Sequence, residues 1–154
     1  MEKFLESLYE AEQLIKKIDH MIYVTYPLFQ DKRLVLKAIS ETKKAIIKCI
    51  SSILQYEYVY KRIRLTKDPK ENLRIFKLKC APRYNINVEE IKLILELFDL
   101  VKKHQKSPFE FKKENKIVIL SKNSQPKVII IEDAKEFLTL AKKIFQKSKD
   151  TMEL

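Results

Sequence analysis

Nine basic side chains fall between residues 61 and 83: Lys61, Arg62, Arg64, Lys67, Lys70, Arg74, Lys77, Lys79 and Arg83. Only Asp68 and Glu71 oppose them, so these 23 residues carry +7 of the chain's net +11. The wider stretch from Tyr56 to Tyr84 holds four of the seven tyrosines and four of the five arginines. The chemistry this composition suits is polyanion recognition. A planar guanidinium grips a phosphate through two hydrogen bonds and stacks on a base. An exposed tyrosine beside arginines is what single-stranded RNA binding uses for stacking.

Helical spacing sharpens the pattern. Lys70, Arg74 and Lys77 share one face, while Leu73, Phe76 and Cys80 share another. Tyr58 and Arg62 are four apart and sit opposite the apolar stripe of the preceding helix, on a side where Lys44, Ser51 and Gln55 are all polar. The candidate nucleic-acid contacts are Arg62, Arg64, Lys67, Lys70, Arg74, Lys77 and Arg83 on phosphates, with Tyr58 as a stacking surface. A plainer reading competes with this one. Glu57 and Lys61 make a favourable i,i+4 pair, basic residues at a helix C-terminus offset its dipole, and Tyr56 and Tyr60 read as core. The 27 lysines and 19 isoleucines with no glycine also follow the usage of an AT-rich genome, and lysine-rich surfaces occur in heat-adapted proteins.

Residues able to do other chemistry are dispersed. His20, Cys49, Cys80 and His104 form no local pair with metal-ligand spacing. Glu89-Glu90 and Glu132-Asp133 read as acids at helix starts, and Asp19 and His20 point about 100° apart on a helix. Without glycine the chain cannot write a P-loop, a dinucleotide fingerprint or a nucleophile elbow. No catalytic residue, no metal, no cofactor and no enzymatic activity are expected. Helix ends and turns must instead use Asn, Pro or polar caps.

The elements that would position the basic segment follow from periodicity. Phe4, Leu8, Ala11, Ile15, Ile18 and Ile22 form the stripe of a first helix over 2–24, ended by Thr25 ahead of Tyr26-Pro27. A second, long helix spans about 31–64, with Val35, Ala38, Ile39, Thr42, Ala45, Ile46, Cys49, Ile53, Tyr56 and Tyr60 inward. Asp68-Pro69-Lys70-Glu71 starts a third helix over about 69–80, which stops at Ala81-Pro82. Asn87 and Glu90 make a capping box for a fourth helix to about 106. It carries two apolar faces, Ile91/Ile94/Leu95/Phe98/Val101 and Leu93/Leu97/Leu100. "KIVIL" (116–120) and "KVIII" (127–131), separated by "SKNSQP", read as a β-hairpin able to cover the second face. Asp133, with Glu136, caps a last helix to about 147, with Phe137, Ala141 and Ile144 inward.

The expected fold is mostly α: a single-domain helical bundle of about five helices over 1–150, one β-hairpin at about 116–131 inserted before the last helix, and 151–154 as a tail. Two cysteines on apolar positions, an acidic N-terminus and a longest uncharged run of only "HMIYVTYPLFQ" predict a cytoplasmic protein with no membrane association.

"DHMIYVTYPLFQDKRLVLKAI", "LQYEYVYKRI", "KCAPRY" and "KSPFEFKKENKIVIL" together resemble a family of small uncharacterised archaeal helical proteins, over most of the chain. More distantly, the order of helices is similar to HEPN domains, bundles that act as RNases or as partners of minimal nucleotidyltransferases. The RNase members carry Arg, four to six residues, then His. Lys16 and Lys17 but no arginine precede His20, and "ELFDLVKK" precedes His104, so the catalytic pair is missing. The leading expectation is a non-enzymatic protein that binds RNA or another polyanion through the basic segment. The alternative is a HEPN-like interaction module, an adaptor or partner subunit, whose fourth helix or hairpin edge makes a homodimer or holds a protein partner. A diverged RNase is the third reading.

Overall fold

The computed structural model describes residues 2–106, 110–113, 116–120 and 126–154, those within 105–127 as backbone only. The first helix, α1 (Lys3–His20), does not stop ahead of Pro27. It continues through a π-helical turn, Met21–Thr25, into α2 (Tyr26–Phe29). A proline ring collides with the carbonyl four residues back and has no N–H to donate. Widening the preceding turn, so that the Tyr26 N–H reaches the Met21 carbonyl, lets the helix absorb the proline. A π turn also closes the third predicted helix, which ends at Cys80 ahead of Ala81-Pro82, as expected. There α4 (Pro69–Ile75) runs on through a π turn, Phe76–Cys80, and the Ala81 N–H meets the Phe76 carbonyl at 2.9 Å just before Pro82.

Helix ends show how a chain without glycine closes its turns. Gln30, Lys61, Asn85 and Glu153 take positive φ of 49°, 60°, 56° and 59°, each just beyond a helical turn. At Lys61 the motif is complete: Arg62 N–H donates to the Glu57 carbonyl at 2.9 Å and Lys61 N–H to the Tyr58 carbonyl at 3.0 Å. The long helix, α3 (Lys32–Val59), therefore ends before the predicted 64. Of the four residues, only Asn85 is of a type that tolerates this region well.

The α3 stripe is buried from Val35 to Ile53, but Tyr56 is half-buried and Tyr60 is 54% exposed, against the expectation that both are core. Tyr60 caps the helix with non-helical dihedrals, which swings it off the stripe and against the outer side of Tyr56, ring centroids 4.7 Å apart. Along the rest of α3, α1 packs on one side and the last helix, α6 (Ile131–Met152), on another. The buried Ser52 hydroxyl donates to the Phe4 carbonyl at 2.7 Å and pins the start of α1.

The fourth predicted helix, α5 (Val88–Lys106), opens with both arms of its capping box, Asn87 N–H on Glu90 at 3.0 Å and Glu90 N–H on Asn87 at 2.8 Å. Its two predicted faces merge into one. Ile94, Leu97, Leu100 and Val101 are buried, with Ile91, Leu93 and Phe98 flanking them, and α3 and α6 supply the cover. At the start of α6, Asp133 is not the cap. It sits at the third helical position, and its carboxylate accepts the Ile130 N–H at 2.9 Å. α6 also outruns its predicted end near 147 and buries Met152, one turn beyond the buried Ser148, within the segment expected to be a tail.

Strands β2 (Lys116–Leu120) and β3 (Pro126–Ile129) form the expected antiparallel pair, with Ile117 opposite Ile129 and Leu120 opposite Pro126. The sheet has a further antiparallel strand that periodicity did not reveal, β1 (Glu110–Lys113), in the order β1-β2-β3. The turn predicted over "SKNSQP" lies, apart from Pro126, outside the described residues. Ile131 belongs to α6 and not to the strand. Among the described residues no helix is long and apolar enough to cross a membrane.

Candidate nucleic-acid interface

The basic segment is organised around one buried acid. Glu57, on the last turns of α3, is 1% exposed. It does not pair with Lys61, as the helical spacing suggested. Its Oε2 lies 2.7 Å from Arg62 Nη1 and its Oε1 2.7 Å from Arg83 Nε. The left-handed turn at Lys61 is the reason: it reverses the chain and brings Arg62 back over the helix it has just left. Arg83 arrives from the turn after Pro82, so one carboxylate ties the end of α3 to the end of the α4 segment. Tyr84 is fully buried in the same cluster, and burial, then the Glu57 charge, pushes its phenol up. Burial and the same charge push the Cys80 thiol up to about 11. On the outer side the Arg62 guanidinium lies 5.2 Å from the Tyr60 ring, a cation–π contact.

The loop from α3 to α4 is braced by its own polar side chains. Thr66 N–H donates to Asn72 Oδ1 and Asn72 Nδ2 to the Thr66 carbonyl, both at 2.9 Å. Asp68 caps α4 as its sequence predicts, accepting the Lys70 N–H at 3.0 Å with Pro69 at the first position. On α4, Arg74 grips Glu71 with Nε at 3.0 Å and Nη2 at 2.6 Å. The hydrogen bonds from Arg74 hold the Glu71 carboxyl below its ordinary value.

Between this loop and α4 lies a cavity of about 430 Å³. Lys61, Arg62, Arg64, Arg74 and Lys79 line it, Glu71 is its one acid, and Ile63, Ile75 and Leu78 give it apolar walls. Three of the eight predicted contacts, Arg62, Arg64 and Arg74, are thus brought together. Lys67, Lys70 and Lys77 lie outside the cavity, Arg83 is turned to Glu57, and Tyr58, 55% exposed, does not line it. Lys61 and Lys79 complete the ring of charge and were missed as contacts. Helical spacing pairs Lys61 with Glu57, and Lys79 falls on neither face of a regular α-helix through 69–80. The π turn Phe76–Cys80, which contains Lys79, alters that register relative to Arg74. Of the cavity's cations, Lys61, Arg64 and Lys79 reach no carboxylate among the described residues, whereas Arg62 and Arg74 are held by one each.

The side of α3 expected to be polar is a groove instead. Ile47, Ile50, Leu54, Leu65, Leu73 and Phe98 line about 380 Å³ beside Ser51 and Gln55, which bond to each other at 2.9 Å. Elsewhere, Cys49 lies in the core with its thiol pushed by burial up to about 12, and His20 is exposed, its Nδ1 3.4 Å from the Thr25 hydroxyl. No cluster of three or more metal-ligating side chains occurs among the described residues. A scan against protein-family models and a search of curated proteins each gave no match.

Proposed function

We propose that this protein binds RNA by its phosphates at the cavity between the end of α3 and α4. The observation that carries this reading is the convergence of five cations on one concavity whose single acid, Glu71, is already engaged by Arg74. Clustered positive charge in a cleft concentrates anionic ligands more than the same charge spread over a surface. Arg62, Arg64, Arg74, Lys61 and Lys79 contact phosphates. Tyr60, over Arg62, and Tyr58 supply aromatic faces for bases, both more than half exposed. Lys67, Lys70, Lys77 and Arg83 extend the field around the cavity. The role is binding and not cleavage, and the protein acts in the cytoplasm, where its two buried cysteines stay reduced.

The test is fluorescence anisotropy with a single-stranded RNA across a salt series, with heparin as the polyanion control. The variant to use is Arg64→Ala/Lys79→Ala, because neither residue supports a carboxylate among the described residues. Loss of two contacts weakens RNA binding and flattens the slope of log K on log salt by about 1.4, at about 0.7 per phosphate. An unchanged affinity would remove the cavity from the site.

The apolar groove of α3, α4 and α5 favours a second reading, a HEPN-like module that dimerises through its α5 side. Light scattering decides it. A dimer insensitive to salt and dissolved by Ile47→Asp supports that reading; a monomer at all concentrations excludes it.

A further inference from the structure

We infer that the cavity takes the phosphorylated end of an RNA strand and is not a track along which the strand passes. This rests on the RNA-binding reading above. A track runs a strand past successive aromatic stacking surfaces, and the lining of this site is of another kind. Its cations come from three directions, the reversed turn after α3, the braced loop and the α4 segment, and they line a concavity whose volume falls within the small-ligand range of roughly 300–1,000 Å³. No aromatic side chain lines it. The walls are Ile63, Ile75 and Leu78, and Leu78 is 63% exposed, a surface that suits one ribose or base lying flat.

The guanidiniums are also prepared for a phosphate. Arg62 spends one nitrogen, Nη1, on Glu57, and Arg74 spends Nε and Nη2 on Glu71, so each is held in place with donors left over. Arg64 and Lys79 pair with no carboxylate among the described residues. A terminal phosphate monoester brings about −1.5 to −2 charge and three strong acceptor oxygens, against one negative charge for each internal phosphodiester. Four such cations around one cavity match the monoester. Beyond the rim, Tyr60 stacks on the outer side of Arg62 and offers the next base a platform, so the strand leaves the cavity over the end of α3.

Three RNAs of one sequence, labelled internally, test this: 5′-phosphorylated, 3′-phosphorylated, and with hydroxyls at both ends. Their internal phosphates are the same, so any difference belongs to the end group. The expected result is that one phosphorylated form binds about tenfold or more tightly than the hydroxyl form, which also names the end. That preference disappears in Arg64→Ala/Lys79→Ala, and it shrinks between pH 7.5 and 5.5 as the monoester gains a proton near pH 6. Equal binding of all three overturns the end-binding inference and leaves RNA binding standing. Failure of all three to bind better than heparin overturns both.

Discussion

The Glu57 side chain is 2% exposed, while the two guanidiniums that meet it, Arg62 and Arg83, remain 41% and 39% exposed. Removing either side of this triad has unequal consequences. Arg62→Ala/Arg83→Ala leaves a carboxylate buried without a partner, and such losses run to about 3–5 kcal/mol. Glu57→Gln leaves two arginines that water can solvate, and costs about 1–2 kcal/mol, the scale of one or two lost hydrogen bonds. Urea denaturation of the two variants checks the order; a larger loss for Glu57→Gln would mean that the arginines, and not the acid, need the partnership. The sequence did not disclose Glu57. At position 57 it sits beside the apolar stripe, and an i,i+4 lysine offered an ordinary surface pair. Its real partners depend on a left-handed residue at 61 and on a turn 26 residues downstream, neither of which helical spacing can encode. Cys49 and Cys80 are more legible, as both fall on apolar stripes. Their raised thiols predict that a disulfide-exchange reagent at pH 8 labels neither until the protein is unfolded; rapid labelling of the native protein would contradict their burial.

Among the elements, two caps and the ends at Cys80 and Lys106 were readable, while the cap at Asp133 and the ends of the first, second and last helices were not. Asp68-Pro69 and Asn87…Glu90 are local signals, satisfied by bonds within three residues, and both form as the sequence indicates. Pro27 misled as a breaker because a π turn ahead of it absorbs the ring, whereas the helix that precedes Pro82 does end at Cys80, as expected. Gln30 closes α2 with φ 49°, where a side chain is unfavourable, and its N–H bonds the Tyr26 carbonyl at 2.7 Å. Gln30→Gly is therefore expected to stabilise the protein by about 1 kcal/mol, since glycine takes this region freely. A lower midpoint in thermal unfolding would show that the Gln30 side chain contributes more than its backbone costs. The link between α5 and α6 predicts a pH effect. Burial raises the Glu90 carboxyl, but hydrogen bonds from Lys147, at 2.5 Å, and from the Asn87 N–H outweigh it, and its value ends below the ordinary one. A lowered carboxyl stabilises the fold above the ordinary glutamate value, about 4.3, and that contribution fades as pH falls through the lowered value. Lys147→Ala should thus lose about 1–2 kcal/mol at pH 7 and show a smaller further loss on acidification than the parent. A parallel decline in both would place the acid sensitivity elsewhere.

For the whole molecule, the helical bundle was legible because its apolar stripes are long and regular: every residue assigned inward on α1, and all but Tyr56 and Tyr60 on α3, is buried. The charge excess was legible too, down to the segment that holds it. What spacing could not give was its division into cations that hold the fold together and cations that face a cavity. Arg62 does both, since it pairs with Glu57 and lines the cavity, so its loss confounds binding with folding. The cations free of carboxylates separate the two. The most direct test is the anisotropy salt titration of Arg64→Ala/Lys79→Ala beside the parent protein, with unchanged helicity confirmed by circular dichroism. The binding account predicts weaker RNA affinity, a flatter salt dependence and little change toward heparin. Equal affinity for RNA in both proteins, or equal losses for RNA and heparin, would contradict it and make the basic segment a solvated surface.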